Sequence, residues 1–164
     1  MSAIECRVRE GVAADLPGVV RLERDTAEAP HWAEAEYGAI VTAHEFDGGV
    51  MRRLFVAEER AGLLGFAVGK VLISGAVSLG ELESVAVSVP ARRGGVGRML
   101  CEAVVGWCRG QDVTEVELEV RAGSAGAIAL YAELGFLVVG RRAGYYRDPM
   151  EDALLMQLRL AESE

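Results

Sequence analysis

A glycine-rich turn joins a strand-like segment to a helix-like segment near the middle of the chain. Residues 83–89 form an alternating apolar run of the strand type, and residues 99–108 carry apolar side chains at helical spacing. Between them lies Arg92-Arg93-Gly94-Gly95-Val96-Gly97-Arg98. Such a turn leaves backbone N–H groups free at the positive end of the helix dipole, where anions bind. The sequence therefore predicts a cradle for the phosphates of a ligand.

Three kinds of phosphate-binding loop compete for this turn. A Walker A loop ends in Gly-Lys-Ser/Thr, but here Gly97 is followed by Arg98 and Met99. A dinucleotide-binding loop follows G-x-G-x-x-G, and its third glycine position is taken by Leu100. The third pattern, Arg/Gln-x-x-Gly-x-Gly/Ala, is matched in full by residues 92–97. On this short pattern alone, a turn that binds nothing stays an alternative.

The composition limits the class of protein that carries this turn. The chain has 164 residues, and we expect residues 1–164 to form a single domain. Its net charge of −8 disfavours general binding of nucleic acid and suits a cationic partner. We expect no signal peptide and no membrane span, since the most apolar stretch, residues 63–80, is interrupted by Lys70 and four glycines. That stretch is predicted to form two strands.

The cysteines Cys6, Cys101 and Cys108 form no zinc-binding pattern, so we expect no metal site. Cys101 and Cys108 are separated by about 10 Å along a predicted helix, which is too far for a disulfide. We interpret them as buried core thiols and not as acyl-carrying nucleophiles. Free thiols favour a reducing compartment, and we expect a cytoplasmic protein that is monomeric or weakly dimeric.

Apolar periodicity and turn signals predict a mixed α/β domain with about seven strands and about four helices. Strands are predicted near residues 4–8, 54–57, 63–73, 83–89, 113–121, 136–139 and 153–160. Helices are predicted near residues 15–26, 33–42, 96–110 and 124–135. Asp15 is the predicted N-cap of the first helix, and Ser124 can cap the last.

A second segment beyond the turn indicates which ligand the turn binds. It contains Leu118-Glu119-Val120-Arg121-Ala122, Ala127-Ile128-Ala129-Leu130-Tyr131 and Leu134-Gly135-Phe136. With the turn, this segment resembles the GNAT family of N-acetyltransferases, and most closely its RimI-type branch of alanine N-acetyltransferases. The resemblance is strong over residues 80–160 and includes 141–146 and 151–156, whereas residues 1–60 match only in general layout. It implies the GNAT fold.

The resemblance also implies an activity. The family transfers the acetyl group of acetyl-CoA, without a metal, by direct attack of an acceptor amine. The RimI-type branch acetylates a protein's N-terminal alanine, in the type case that of ribosomal protein S18. A lysine side chain or a small amine as acceptor stays open, as does a non-catalytic CoA-binding module. The presence of Glu119 and Tyr131 argues against that module, because a sensor needs neither a base nor an acid.

Individual roles follow from the resemblance as well. Glu119 matches the family's proposed base, and Tyr131 matches the tyrosine that protonates the CoA thiolate. From the residues alone, a solvated strand glutamate and a core tyrosine would be favoured. The implied cofactor contacts are Val85, Ala86, Val87, Arg92, Arg93, Gly94, Gly95, Val96, Gly97, Arg98 and Ser124. Ser124 and Ser84 stand where the family commonly has Asn, which puts the CoA contact of Ser124 in doubt.

The acceptor side matches the family less well. Trp32 in Pro30-His31-Trp32 corresponds to a Pro-Trp segment of the family with one residue inserted, and Tyr145 and Tyr146 resemble its peptide-gripping tyrosines. A packing role for these residues is an equal alternative. His31 and His44 could act as bases, but the sequence brings no carboxylate to either.

Overall fold

A computed structural model describes residues 5–25, 32–42, 48–92, 94–147 and 149–160. Its strands are β1 (Arg7–Glu10), β2 (Val50–Glu59), β3 (Gly62–Ser74), β4 (Val77–Val87), β5 (Glu115–Arg121), β6 (Leu137–Tyr146) and β7 (Glu151–Arg159). Its α-helices are α1 (Leu16–Arg24), α2 (Glu34–Thr42), α3 (Val96–Gly110) and α4 (Ala125–Glu133). The predicted mixed α/β class is confirmed.

The seven strands form one sheet in the order β1-β2-β3-β4-β5-β7-β6. Neighbouring strands are antiparallel except β4 and β5, which are parallel. Helix α3 makes the crossover between these two, because parallel neighbours cannot be joined by a hairpin. Over the described residues, β4 and β5 pair only at Gly80–Val116 and Glu81–Glu117. Beyond this point the two strands separate.

Apolar side chains pack on both faces of the sheet. On one face, α3 supplies the predicted buried stripe, Val96, Leu100 and Val104, to a cluster that includes β5. On the other face, α1 and α2 supply Val19, Leu22, Tyr37 and Ile40, which pack on Leu54, Val56, Phe66, Val68 and Ala86. The sheet is therefore the middle layer between two helical layers.

The apolar stretch 63–80 forms two strands, as predicted. Strand β3 occupies most of it, and β4 begins at Val77. Among the described residues, no helix combines the length and apolarity needed to cross a membrane. Cys101 and Cys108 lie buried in the α3 cluster as free thiols, which confirms their predicted role. Burial raises the pKa of each of these thiols to about 12.

Strand β4 differs from its prediction in length and in regularity. It begins at Val77 and not at Glu83, because Ser78, Gly80 and the two glutamates of residues 78–83 conceal the alternation of its apolar side chains. Val68 of β3 faces Ser84 whereas Gly69 faces Leu82, so Glu83 is the extra residue of a β-bulge. Ser84 consequently points to the same face as Glu81, three residues earlier.

The boundaries of other strands also differ from the predicted ones. Strand β2 is longer than residues 54–57, and β6 continues past residue 139 to Tyr146, because its second half carries arginines and a bulge that hide the strand pattern. Val89–Ala91 forms a short 3₁₀ turn, not strand. Ile4 and Thr26, at the ends of a predicted strand and a predicted helix, lie outside the described residues.

Asp15 occupies the N-cap position of α1, as predicted, but its carboxylate does not cap that helix. It accepts a hydrogen bond from the Val12 N–H at 2.8 Å and pairs with Arg9 at 2.8 Å. Arg9 also pairs with Glu58 at 2.9 Å. The hydrogen bond from Arg9 holds the pKa of Asp15 below its usual value, and hydrogen bonds from Arg9 and Arg7 lower the pKa of Glu58 to about 2. This network joins β1, β2 and the start of α1.

Candidate active site

The separation of β4 from β5 opens a gap in the middle of the sheet. Strand β4 continues to Val87 and β5 to Arg121, with no further pairing between them in the part of the chain that the structure describes. Backbone N–H and C=O groups along such a gap need partners, and an extended ligand can supply them. Two cavities meet at this gap, one toward each face of the sheet.

The larger cavity, of about 630 Å³, lies between the end of β4, the start of α3 and the side of α4. Most of the residues predicted to contact a cofactor border it. They are Val85, Val87, Arg92, Gly95, Gly97, Arg98 and Ser124. Ala86 and Val96 instead point into the two apolar clusters, so only their backbone groups are available to a ligand.

Gly95 turns the chain into α3. Its φ is 84°, in the left-handed region that side chains disfavour, whereas an added Cβ would meet no atom within 4 Å. The glycine is therefore required by backbone conformation and not by lack of space. At Gly97 an added Cβ would lie 3.4 Å from Leu130 Cδ2, an ordinary contact. The first N–H groups of α3 have no intrahelical acceptors, so this end of the cavity attracts anions.

The arginines at this end already contact the protein. Arg98 lies 2.9 Å from Glu102 and 3.3 Å from Glu133, and thereby links α3 to α4. The Arg92 Nε donates a hydrogen bond to the Val87 carbonyl at 3.2 Å. Arg93 lies outside the described residues. Both described guanidinium groups border the cavity and add positive charge to it, and Glu102 and Glu133 partly neutralise the charge of Arg98.

The second cavity, of about 350 Å³, lies on the opposite face of the sheet. Strands β4 and β5 form its floor, and Tyr145 and Tyr146 of β6 form a wall. Val85, Ser124, Ala127 and Tyr131 border both cavities, so the two adjoin. Glu119 borders only the second. The structure therefore brings Glu119 and Tyr131, separated by twelve residues in sequence, to one cavity.

The Glu119 side chain is partly exposed and contacts two residues of β6. Its carboxylate lies 3.5 Å from the Arg142 guanidinium. The Tyr145 hydroxyl donates a hydrogen bond to the same carboxylate, and this contact raises the pKa of Tyr145. Glu117 lies on the same face of β5 but accepts a hydrogen bond from Gln157 at 3.3 Å. Among the described residues it does not border the cavity.

Tyr131 projects from α4 to the place where the cavities adjoin. Its ring packs edge-on against Phe136, with the centroids 6.0 Å apart. Burial raises the pKa of Tyr131 above its usual value. The phenol is consequently protonated at neutral pH and can donate a proton or a hydrogen bond.

Some of the remaining predicted site residues border the second cavity, and others do not. Tyr145 and Tyr146 pack edge to face, 5.1 Å between centroids, at the wall of the second cavity. Trp32 packs 5.5 Å from Tyr37 and is absent from the described lining of either cavity. Ser124 is the N-cap residue of α4, but its hydroxyl makes no capping hydrogen bond. His31 and His44 lie outside the described residues.

Sequence reasoning missed three polar residues of β4 that border the second cavity. Glu81, Glu83 and Ser84 border it from β4. Glu83 pairs with Arg52 of β2 at 2.9 Å. The alternation of Glu81 and Glu83 with Leu82 was a signal for a longer strand, but no local pattern reveals the bulge that turns Ser84 to this face.

Comparisons with known proteins agree with this geometry. The sequence profile of the Acetyltransferase (GNAT) family matches residues 17–136. The ribosomal protein bS18-alanine N-acetyltransferase of Escherichia coli (strain K12) is 32% identical over 149 residues, which cover 90% of this chain and 93% of that protein. The chain also matches the crystal structure of the ribosomal-protein-S18-alanine N-acetyltransferase from Escherichia coli with a TM-score of 0.77 and 26% identity, over 98% of this chain and 97% of that one.

The fold extends to more distant proteins. The structure of Arabidopsis thaliana NAA60 in complex with acetyl-CoA matches with a TM-score of 0.82 and 21% identity, over 95% of this chain and 99% of that one. The mixed sheet with its separating parallel pair thus defines the GNAT fold, as predicted. The chain belongs to the Acetyltransferase (GNAT) family. It is an N-acetyltransferase, which confirms the predicted activity.

Proposed function

We propose that this enzyme transfers the acetyl group of acetyl-CoA to the N-terminal amine of a protein, with the N-terminal alanine of ribosomal protein bS18 as the leading acceptor. The observation that carries the proposal is the meeting of two cavities at Tyr131 and Val85. One cavity is bordered by the glycine turn and the other by Glu119. A relative named for this reaction covers nearly the whole chain.

The larger cavity, hereafter the donor cavity, suits acetyl-CoA, which supplies the acetyl group as a thioester. The first turn of α3 offers N–H groups to the pyrophosphate, and Gly95 and Gly97 let the backbone approach it. Arg92 and Arg98 add positive charge to the same end. Val85 and Val87 border the path from the turn to the gap, where the backbone of residues 85–87 can pair with the pantetheine arm. Ser124 borders the junction and can contact the same arm.

Glu119 and Tyr131 have complementary roles in this proposal. Glu119 accepts a proton from the acceptor nitrogen, and the free amine attacks the thioester directly, without an acyl-enzyme. Tyr131 donates its phenolic proton to the departing thiolate, which its raised pKa permits at neutral pH. An N-terminal amine has a pKa of about 8, so a carboxylate is a sufficient base.

The acidic second cavity, hereafter the acceptor cavity, favours a cationic acceptor. Tyr145 and Tyr146 wall it and are positioned to hold the first residues of a peptide. The peptide contact of Trp32 stays a prediction, since Trp32 packs on Tyr37. A cytoplasmic location is part of the proposal, because the acceptor is a ribosomal protein and the thiols Cys101 and Cys108 are free.

The test is CoA-thiol release with purified enzyme and a peptide panel. One peptide begins with a free alanine as in bS18, a second is the same peptide blocked at its N-terminus with an internal lysine, and a third acceptor is a small polyamine. We expect release with the first peptide only. The lysine or polyamine as the sole substrate would contradict the proposed acceptor, and no release with any would contradict the proposed function.

Two variants test the proposed base. Glu119→Gln should lower kcat by about a hundredfold while acetyl-CoA binding, measured by calorimetry, stays unchanged. Glu117→Gln is the matched control, since Glu117 lies on the same strand and face but outside the cavity lining, and it should retain activity within about twofold. Equal losses of kcat in both variants would show that the substitution of Glu119 disturbs the fold and does not remove a catalytic base.

A further inference from the structure

We propose that Glu133 competes with the phosphates of acetyl-CoA for the Arg98 guanidinium, and that this competition limits how tightly the enzyme holds its acetyl donor and the CoA product. In the free enzyme Arg98 pairs with Glu133, and a phosphate of the donor replaces the carboxylate on binding. This inference rests on the proposed function, since it takes acetyl-CoA as the donor.

The charge of Glu133 is opposite to what a phosphate ligand needs. The donor cavity is bordered by the described arginines Arg92 and Arg98 and by the first turn of α3, whose N–H groups attract anions. Among the described residues that border this cavity, Glu133 is the only one with a carboxylate. Like charges repel, so this carboxylate opposes the binding of phosphates. CoA binding alone would favour a neutral or basic residue at this position.

Helix α4 directs Glu133 to the donor cavity. Gly126, Leu130 and Glu133 follow one another at intervals of four and three residues, so they lie on one face of the helix. All three border the cavity. An added Cβ at Gly97 would lie 3.4 Å from Leu130 Cδ2, so this face lies beside the first turn of α3. The carboxylate therefore stands at the end of an otherwise apolar stripe, across from Arg98.

The stability of the helix does not explain a carboxylate at this position. Glu133 is the last residue of α4, where the helix dipole is negative and favours basic side chains. Its side chain is 66% exposed, so it adds little to an apolar core. An ion pair as exposed as that of Glu133 with Arg98 contributes little to folding. The negative charge therefore has its main effect on the ligand of the adjoining cavity.

Two carboxylates share the Arg98 guanidinium in different ways. The Arg98 Nε donates a hydrogen bond to Glu102, one turn along α3, at 2.9 Å. The Arg98 Nη1 donates a hydrogen bond to Glu133 of α4 at 3.3 Å. Glu133 borders the donor cavity, whereas Glu102 does not border it among the described residues. The contact with Glu133 is therefore the one that a ligand in the cavity meets.

A phosphate can replace Glu133 because the two anions bind a guanidinium with different strength. Water screens the pair of Arg98 with Glu133, whose side chains are 47% and 66% exposed. A phosphate forms strong and often bidentate hydrogen bonds with a guanidinium, so it is the better partner. The free energy needed to separate Arg98 from Glu133 is subtracted from the binding of the phosphate. Glu102 can keep its hydrogen bond from Nε during this exchange.

The competition acts equally on the donor and on the product. Acetyl-CoA and CoA carry the same phosphates, so Glu133 weakens the binding of both by the same factor. Product release limits turnover in many enzymes, and a CoA that is held too tightly leaves slowly. Glu133 therefore favours the exchange of CoA for acetyl-CoA at the expense of affinity.

Calorimetry with acetyl-CoA and with CoA at low salt tests this assignment. Glu133→Gln keeps the shape of the side chain without its charge, and it should lower both dissociation constants by about three- to fivefold. Glu102→Gln is the matched control, because it removes the partner of Arg98 outside the cavity lining, and it should change both constants by less than about twofold. The gain of Glu133→Gln should shrink at about 0.5 M salt, which screens exposed charges.

A double-mutant cycle separates competition for Arg98 from simple repulsion of the ligand. Arg98→Gln removes the shared guanidinium and should weaken acetyl-CoA binding by about fivefold or more. In the Arg98→Gln background, Glu133→Gln should improve binding by less than about twofold, because no guanidinium is left to release. An equal gain in both backgrounds would show that Glu133 only repels the phosphates, and would overturn the inference. Thermal unfolding of each variant checks that the fold is intact.

The outcomes distinguish this inference from the function on which it rests. If the wild-type enzyme binds acetyl-CoA and Glu133→Gln binds it no more tightly, Glu133 does not compete with the phosphates, although the proposed function stands. A gain with Glu102→Gln as large as that with Glu133→Gln would also overturn the inference. If the wild-type enzyme binds no acetyl-CoA, the proposed function fails first.

Discussion

The guanidinium carbon of Arg121 lies 4.3 Å from the centroid of the Tyr146 ring. Arg121 ends the strand that carries Glu119, and Tyr146 ends the strand that walls the acceptor cavity. Arg121 also lies 3.4 Å from Glu151, whose carboxylate accepts the Gly123 N–H at 2.7 Å. These contacts fix the distance between the proposed base and the tyrosine wall.

Substitution of Arg121 should therefore affect the acceptor more than the donor. A cation–π contact contributes about 0.5–2 kcal/mol, so Arg121→Leu should raise the peptide KM by about two- to thirtyfold. The KM for acetyl-CoA should stay unchanged. Arg121→Lys keeps the charge over the ring and should be the milder variant. A larger effect on acetyl-CoA than on peptide in initial-rate kinetics would contradict this prediction.

Tyr131→Phe should lower kcat by about tenfold or more, since the leaving thiolate loses its proton donor. Acetyl-CoA affinity should change little, because the ring and its packing on Phe136 are kept. Burial raises the pKa of Tyr131 above the usual value of about 10, so the phenol stays protonated as the pH rises through that value. Wild-type kcat should consequently show no loss from phenol ionisation below about pH 10. Full activity of the phenylalanine variant would remove the acid role.

Gly95→Glu should abolish acetyl-CoA binding in calorimetry. The cause is the left-handed φ of 84° together with a carboxylate at an anion cradle, since the structure offers a side chain enough space there. Gly95→Ala isolates the backbone effect and should lower the free energy of unfolding by about 1 kcal/mol. Gly106→Glu is a matched control, because Gly106 is a helical residue of α3 with open space around it. Equal binding losses at both positions would contradict the assignment of the turn.

The Arg9 network should make the protein sensitive to acid. The folded-state pKa values of Asp15 and Glu58 lie below their ordinary values, so their stabilisation is present above about pH 4 and is lost as the pH falls through the folded values. Thermal unfolding should therefore show a falling Tm from about pH 5 to about pH 2. Arg9→Gln should lower the Tm at neutral pH and flatten this dependence. If the Tm of Arg9→Gln falls with pH as steeply as that of the wild type, groups other than Asp15 and Glu58 cause the acid sensitivity.

The three thiols should differ in reactivity toward a disulfide reagent. Thiolates react, and burial raises the pKa of Cys101 and Cys108 to about 12. Cys6 is only partly buried. In the native protein we expect Cys6 to react first, with Cys101 and Cys108 reacting on unfolding. A Cys6→Ser variant that still reacts quickly would show that the α3 core opens.

The sequence was most informative where local pattern and local structure coincide. The turn at residues 92–98, the stripe on α3 and the alternation of β5 are set by neighbours in the chain, so they predicted the donor cavity and the face of Glu119. Tyr131 was harder, because a tyrosine on an apolar stripe is equally a core residue. Only the family resemblance distinguished the two interpretations.

The acceptor cavity depends on features that no local pattern records. The floor residues Glu81 and Ser84 share a face only because Glu83 forms a bulge, and that bulge is visible only in the pairing with β3. The contact of Arg121 with Tyr146 joins residues distant in sequence. Conversely, the capping role of Ser124 was a local prediction that failed, since its hydroxyl makes no capping hydrogen bond to α4. Ser124 instead borders the two cavities.

The β-bulge at Glu83 affects how the acceptor specificity of such an enzyme can evolve. Val87 faces the donor cavity, whereas Glu81 and Ser84, a few residues away, face only the acceptor cavity. A mutation at Glu81 or Ser84 therefore leaves the residues that border the donor cavity unchanged. Substitutions on one face of β4 can therefore change which acceptor the enzyme uses during evolution, while the residues that bind CoA stay the same.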